Sequence, residues 1–272
     1  MGKFDGILIA TDLDATFLTD QRTVSPENKA AIEYFMSEGG FFTIATGRSA
    51  RSLGFVLDTV TPNAPLILYN GAMIYDIKSQ KIIWETFLEN DISGLLEEIE
   101  DKFPFAGIQV CSRDAVYISR DNNRLRHILS FEKVTGNYKH FSQVEKPWRK
   151  AIFVQEANEL PIVKEYIAKS EYRDKCNFFQ SSPYYLEILP LDATKGSALK
   201  YLAAHLGIDM DKTIGIGDNE NDISLINSAK YGIAVKNAIP QLREIADIIT
   251  VDNNSHTIAK TIYDIERNII KF

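Results

Sequence analysis

The 272-residue sequence has few of the residues that build thiolate metal sites or disulfide frameworks. Its only cysteines, Cys111 and Cys176, lie far apart and share no metal-ligand spacing with the four histidines. Neither a disulfide scaffold nor a zinc site follows from them. Long apolar runs are also missing, so no segment reads as a membrane span. The N-terminus enters a strand-like run without a basic-then-apolar leader. Basic charge is in deficit, with 30 Lys and Arg against 37 Asp and Glu and a net charge of -7. That balance argues against nucleic-acid binding driven by bulk electrostatics, which needs a phosphate-neutralising face. A small, locally screened phosphate remains compatible. The expectation is a cytoplasmic protein, a monomer or weak dimer, with no nucleic-acid or membrane partner.

Apolar residues make up 45% of the chain, enough to bury a core, and the length suits two domains. Residues 6–10 are short, apolar and rich in branched side chains, as in a strand buried on both faces of a parallel sheet. Ser25-Pro26-Glu27 opens a helix over 27–38, and strands are predicted over 41–45 and 65–69 with a helical stretch from 49 to 58 between them. Residues 73–76 and 81–84 read as a hairpin.

The texture then changes. Helices over 92–102, 122–135 and 159–170 separate strands over 115–119, 150–155, 176–180 and 184–189. This mixed pattern predicts an inserted α+β domain. Its aromatics, including Tyr117, Phe153, Phe178, Phe179, Tyr184 and Tyr185, read as sheet packing. The α/β rhythm returns with a helix from Lys195 capped by Thr194, a strand over 212–217, a helix over 223–229, strands over 232–235 and 248–251, and a last helix from Thr257. The predicted fold class is α/β: a Rossmann-like parallel-sheet core at 1–83 and 190–272, with an α+β domain inserted at 84–189.

The predicted strand tips carry Asp12, Asp14, Thr46, Asn70, Asp218, Asn221 and Asp222, with Lys195 at a helix N-terminus. In open α/β sheets ligands bind at this end. Gathered carboxylates repel one another unless a cation sits among them, and Mg²⁺ prefers such oxygen ligands, which suits Asp12 and Asp218. Thr46, Lys195, Asn221 and helix N-termini are complementary to a phosphoryl group. A carboxylate there can attack phosphorus to form an aspartyl phosphate. The neighbouring Asp14 can protonate the leaving alcohol and then take a proton from water.

The stretches Asp12-Leu13-Asp14-Ala15-Thr16, Thr46-Gly47-Arg48, Lys195-Gly196 and Gly217-Asp218-Asn219-Glu220-Asn221-Asp222 resemble, in order and spacing, the four motifs of the haloacid dehalogenase superfamily. The insertion resembles the type IIB cap of Cof-type sugar-phosphate phosphatases, and Asn70-Gly71-Ala72 and the run 182–188 match further. The resemblance implies Asp12 as nucleophile, Asp14 as general acid/base, and Thr46, Lys195 and Asn221 as phosphate ligands. It further implies Mg²⁺ on Asp12, Asp218 and the Asp14 backbone carbonyl, with Asp222 supporting the metal shell or Lys195. It also implies a cap that closes over the sheet tips. One position departs from the family: Ala15 stands where Gly is usual. A turn demanding φ > 0 there would be strained by about 1 kcal/mol or more.

Plainer readings stand beside these. Asp222 reads equally as a helix cap, and Arg48, Asn70 and Gly71 equally as ordinary loop residues or as substrate contacts. The function expected is Mg²⁺-dependent hydrolysis of a small phosphomonoester, a sugar phosphate or related metabolite. The alternatives are a phosphomutase, or a phospho-aspartate signalling or binding protein with weak turnover.

Overall fold

The computed structural model describes residues 2–89, 92–113, 115–132 and 136–272. The chain begins with β1 (Leu8–Thr11), α1 (Pro26–Ser37), β2 (Phe41–Ile44), α2 (Gly54–Leu57), β3 (Leu66–Leu68), β4 (Met73–Asp76) and β5 (Lys81–Glu85). Next come α3 (Ser93–Lys102), β6 (Gly107–Ser112), β7 (Ala115–Arg120), α4 (Asn123–Glu132), β8 (Asn137–Tyr138), β9 (Trp148–Val154), α5 (Leu160–Lys169), β10 (Cys176–Ser182) and β11 (Tyr185–Pro190). The last part holds α6 (Lys195–Leu206), β12 (Thr213–Gly217), α7 (Ile223–Ser228), β13 (Tyr231–Ala234), α8 (Pro240–Ile245), β14 (Ile248–Ile249) and α9 (Thr257–Glu266). Among the described residues no helix is long and apolar enough to cross a membrane.

Two compact units result, Met1–Glu85 with Thr194–Phe272, and Thr86–Ala193. In the first, five strands form a parallel sheet in the order β14-β13-β12-β1-β2. Alternation along β1 sorts its side chains between two layers. Ile7 and Ile9 join Ile32 and Phe35 of α1 and Ile258 and Ile262 of α9 in one core cluster, whereas Leu8 and Ala10 join Ala198, Leu199 and Leu202 of α6 in another. With helices burying both faces, every position up to Ala10 is apolar, which is why the run lacks a polar alternate before Thr11. Ser25 caps α1 by accepting from the Asn28 amide, and Pro26 sits at the first helical position as expected.

The β3 strand departs from the simple repeat. It pairs antiparallel with β4 in a separate three-stranded sheet with β5, and joins the main sheet through a parallel bridge from Ile67 to Ala45. The stretch expected as one helix over 49–58 is a 3-10 turn, Ala50–Leu53, followed by the short α2.

The second unit is built on a six-stranded sheet in the order β10-β11-β9-β6-β7-β8, antiparallel except for β7 with β8. Ala151 and Phe153 of β9 face the cluster formed with Leu95, Ile99, Val163 and Ile167 of α3 and α5, while Ile152 and Val154 pack with Leu125 of α4. Lys150 and Glu187 form a buried ion pair at 2.7 Å. The sequence pattern missed β6, β8 and α8. In β6, only Ile108 and Val110 mark an apolar face, alternating with Gln109 and Cys111, which are buried as well. The end of the helix expected over 122–135 falls on residues 133–135, outside the described residues.

Two glycines, Gly196 inside α6 and Gly207 just past its end, separate packing from backbone strain. A Cβ on Gly196 would lie 2.1 Å from the Ser224 carbonyl oxygen, whereas one on Gly207 meets nothing within 4 Å but sits at φ +68. Helix propensity alone favours alanine at position 196; the backbone clash dominates. Gly196→Ala is therefore expected to lower the unfolding free energy by about 2 kcal/mol or more. Gly207→Ala is expected to lower it by only about 1 kcal/mol through its left-handed φ. Urea unfolding of both variants checks this, and a neutral or stabilised Gly196→Ala would refute it.

Candidate active site

Parallel pairing puts the C-terminal ends of β1, β2 and β12 at one edge of the sheet. Thr11 is in register with Ile44 and with Ile216, so Asp12, Ala45 and Gly217 follow at one level, with Thr46 and Asp218 one residue beyond. Asp12 is still extended (φ -62, ψ 162) and its amide donates to the Ile216 carbonyl at 2.8 Å. It therefore keeps the parity of Leu8 and Ala10 and faces the side of α6.

There it meets Lys195, the first residue of α6. The Lys195 ammonium donates to Asp12 Oδ1 at 2.6 Å and to Asp222 Oδ1 at 2.5 Å. All three side chains are buried, with 0% of Lys195 and Asp222 and 6% of Asp12 accessible. Asp222 uses its other oxygen to accept from the amides of Asp218 (2.9 Å) and Asn219 (3.1 Å). Asp222 makes no side-chain cap bond to α7; its carboxylate closes the turn after β12 and holds Lys195. Asp218 Oδ1 accepts from the Thr16 hydroxyl at 3.0 Å.

Asp12, Asp218 and Asp222 each bring an oxygen within 4.8 Å of the other two. Three carboxylates against one ammonium leave two negative charges when all are ionised, and the titration of the group reflects it. Burial first, offset by Lys195 and reinforced by Asp222 and Asp218, pushes Asp12 well above the usual carboxylate range. Burial and then the Asp222 charge push Asp218 up to about 7. Lys195 would be lowered by burial, but Asp12 and Asp222 hold it above its ordinary value. A hard divalent cation fits this donor set in charge and in ligand type. Because both oxygens of Asp222 are already engaged, Asp12 and Asp218 are the better candidates to face such an ion.

A second group of predicted residues assembles separately. Asp14 receives a bidentate pair from Arg48, Nε to Oδ2 and the terminal nitrogen to Oδ1, both at 2.7 Å. Its side chain is 49% exposed. Thr46 is buried, its Oγ1 accepts from the Arg48 amide at 3.2 Å, and its carbonyl accepts from the Asn70 amide at 2.9 Å. With an acceptor role already taken, the Thr46 hydroxyl proton is left for a ligand. Asn221 donates to the Asn70 side-chain oxygen at 2.9 Å. Gly71 has φ +101 and a Cβ there would lie 2.1 Å from the Thr194 carbonyl oxygen, so this loop presses on the start of α6.

Two functional contacts escaped the sequence reading. Thr16 lies inside the first motif, and its link to Asp218 spans 202 residues, which no local pattern announces. Asn219 forms a capping box with Asp222, a signal present in the spacing of the two residues. The Ala15 expectation holds: the residue sits at φ 57, ψ 12, inside the turn Leu13–Phe17.

Comparison with known proteins shows the family. Residues 9–262 match the family model of haloacid dehalogenase-like hydrolases. YxeH of Bacillus subtilis (strain 168), whose name carries a provisional phosphatase assignment, is 30% identical over 269 residues, covering 95% of this chain and 97% of its own. Phosphatase YwpJ of the same organism is 26% identical over 278 residues, covering 93% and 97%. Among solved structures, the subclass IIB sugar phosphatase BT4131 superposes with a TM-score of 0.83 at 19% identity, covering 97% of this chain and all of its own, a likeness of fold. The chain belongs to the haloacid dehalogenase-like hydrolases.

Proposed function

We propose that this hydrolase cleaves small phosphomonoesters, sugar phosphates among them, with Mg²⁺ as its cation and Asp12 as the nucleophile. The observation that carries the reading is the buried Asp12 carboxylate, fixed by Lys195 at 2.6 Å beside Asp218 and Asp222. A bound Mg²⁺, facing Asp12 and Asp218, would offset charge on the phosphoryl oxygens. Lys195 has two of its three protons on Asp12 and Asp222, leaving the third for a phosphoryl oxygen. The Thr46 hydroxyl and the Asn221 amide are further donors of the kind a phosphate needs.

In the first step an Asp12 oxygen attacks phosphorus, the ester P–O bond breaks, and Asp14 gives its proton to the departing alkoxide. In the second, Asp14 takes a proton from water as that water attacks the same phosphorus. The Asp12–phosphorus bond breaks and inorganic phosphate leaves. For the first step Asp14 must release at least one of its two bonds to Arg48. Arg48 therefore fits a partner of Asp14 more directly than the substrate contact suggested by sequence. The mutase alternative shares the first step and differs in the acceptor of the phosphoryl group.

Two outcomes are expected. On a panel of phosphomonoesters with Mg²⁺, the wild type releases inorganic phosphate, and Asp12→Asn loses activity by about 10³-fold or more. The variant stays folded because Lys195 keeps Asp222 as its partner. Phosphate release that survives Asp12→Asn, or product isomerisation without release, rejects the assignment. Second, a proton competes with the cation for Asp218, whose carboxyl is raised to about 7. Mg²⁺ affinity measured by calorimetry should then fall as pH drops below about 7, by at least about tenfold per unit once Asp218 is protonated. An affinity constant from pH 5.5 to 8.5, or one unaffected by Asp218→Asn, contradicts this site.

A further inference from the structure

We propose that Asn237 and Asn253 are positioning residues that clasp the turn between Asp12 and Asp20 and hold Ala15 in its left-handed conformation; the catalytic part of this rests on the phosphatase reading above. The turn Leu13–Phe17 is closed by the Leu18 amide donating to the Leu13 carbonyl at 2.9 Å. Within it Ala15 is solvent-exposed at φ 57, so no packing of its methyl group sustains the conformation. An L-residue there is less stable than glycine would be, and the turn needs support from outside.

That support comes from the far end of the chain. Asn237 donates from Nδ2 to the Ala15 carbonyl at 2.8 Å. Its own Oδ1 accepts from the Asn253 amide at 3.0 Å, which fixes which way the Asn237 amide faces. The buried Asn253 side chain donates to the Leu18 carbonyl and to Asp20 Oδ1, both at 3.0 Å. Asn254 completes the set, donating to Asp20 Oδ2 and accepting from the Asp20 amide, each at 3.0 Å. The segment bearing Asn237 is itself tied to the sheet: the Val235 amide donates to the Gly217 carbonyl and the Lys236 amide to the Val251 carbonyl.

The clasp acts at a sensitive point. The Ala15 carbonyl belongs to the peptide unit that leads into Thr16, whose hydroxyl reaches Asp218, and Asp14 directly precedes Ala15. A rotation of that peptide would move Thr16 off Asp218 and turn Asp14 relative to Asp12. Asn237 thus connects the end of the sheet to the orientation of the candidate acid/base without touching the reacting atoms.

The test compares Asn237→Ala and Asn237→Asp, each with Ala15 and with Ala15→Gly. The aspartate keeps the acceptor for the Asn253 amide and loses the donor to Ala15. Asn237 is exposed, so both variants retain the core. Hydrogen exchange of the Leu18 amide is expected to accelerate about five- to tenfold in both, the size of one net hydrogen bond. On a hydrolysed phosphomonoester, kcat falls about threefold or more while KM stays within about twofold. Adding Ala15→Gly returns exchange and kcat to within about threefold of wild type. Unchanged exchange in Asn237→Asp, or a loss that Ala15→Gly fails to reverse, overturns the clasp. Exchange reads the clasp even if no ester is hydrolysed. Activity with unaltered exchange rejects the clasp and leaves the phosphatase reading standing.

Discussion

One buried ammonium fixes the geometry on which the site depends. Lys195 has no access to solvent, so its hydration has to be replaced by the carboxylates of Asp12 and Asp222. Each acid is in turn tied to backbone: Asp12 through its amide to Ile216, Asp222 through the amides of Asp218 and Asn219. The end of β1, the turn after β12 and the start of α6 therefore cannot move independently. Removing both carboxylates would strand the ammonium without water, a situation that commonly costs about 3–5 kcal/mol. The same cost that makes the arrangement expensive to break makes its distances reproducible.

The cluster also divides labour between two acids that lie two residues apart. Asp12 is buried and held by an ammonium, in surroundings that already contain more negative than positive charge. Asp14 is half in solvent and bonded to a guanidinium that comes from the loop after β2. Chemically identical carboxylates take different parts when their surroundings differ in this way. A group that must attack phosphorus gains from rigid placement, and one that must exchange protons with leaving group and water gains from access. The observed exposures follow that order.

Much of this was legible in the residues. The uninterrupted apolar run before Asp12, Ser25-Pro26 ahead of α1, Thr194 ahead of α6 and the β4–β5 hairpin are all local signals, and each marks the element found. The strand-tip inventory was legible for the same reason, because parallel strands bring their C-terminal ends to one edge. Partner choice was not. The Lys195–Asp12 bond joins residues 183 apart and the Asn237–Ala15 bond residues 222 apart, while Arg48 finds Asp14 across 34. A side chain's position on its element says which way it points; whom it meets is decided by how elements stack. The β6 strand was hidden because only Ile108 and Val110 mark its apolar face before Ser112 ends the series.

Stacking of this kind depends on where backbones can come close. The Gly71 backbone fits against the Thr194 carbonyl and the Gly196 backbone against Ser224, at separations that would leave a Cβ 2.1 Å from carbonyl oxygen. These approaches seat the first turn of α6 between the loop after β3 and the start of α7. Side chains on a helix lean toward its N-terminus, so an ammonium on the first residue reaches past the helix end to the strand tips. The positive end of the helix dipole lies on the same side. Lys195 at this position therefore adds its charge to a field the backbone already supplies. A lysine further along the helix would lose that reinforcement as well as the reach to Asp12.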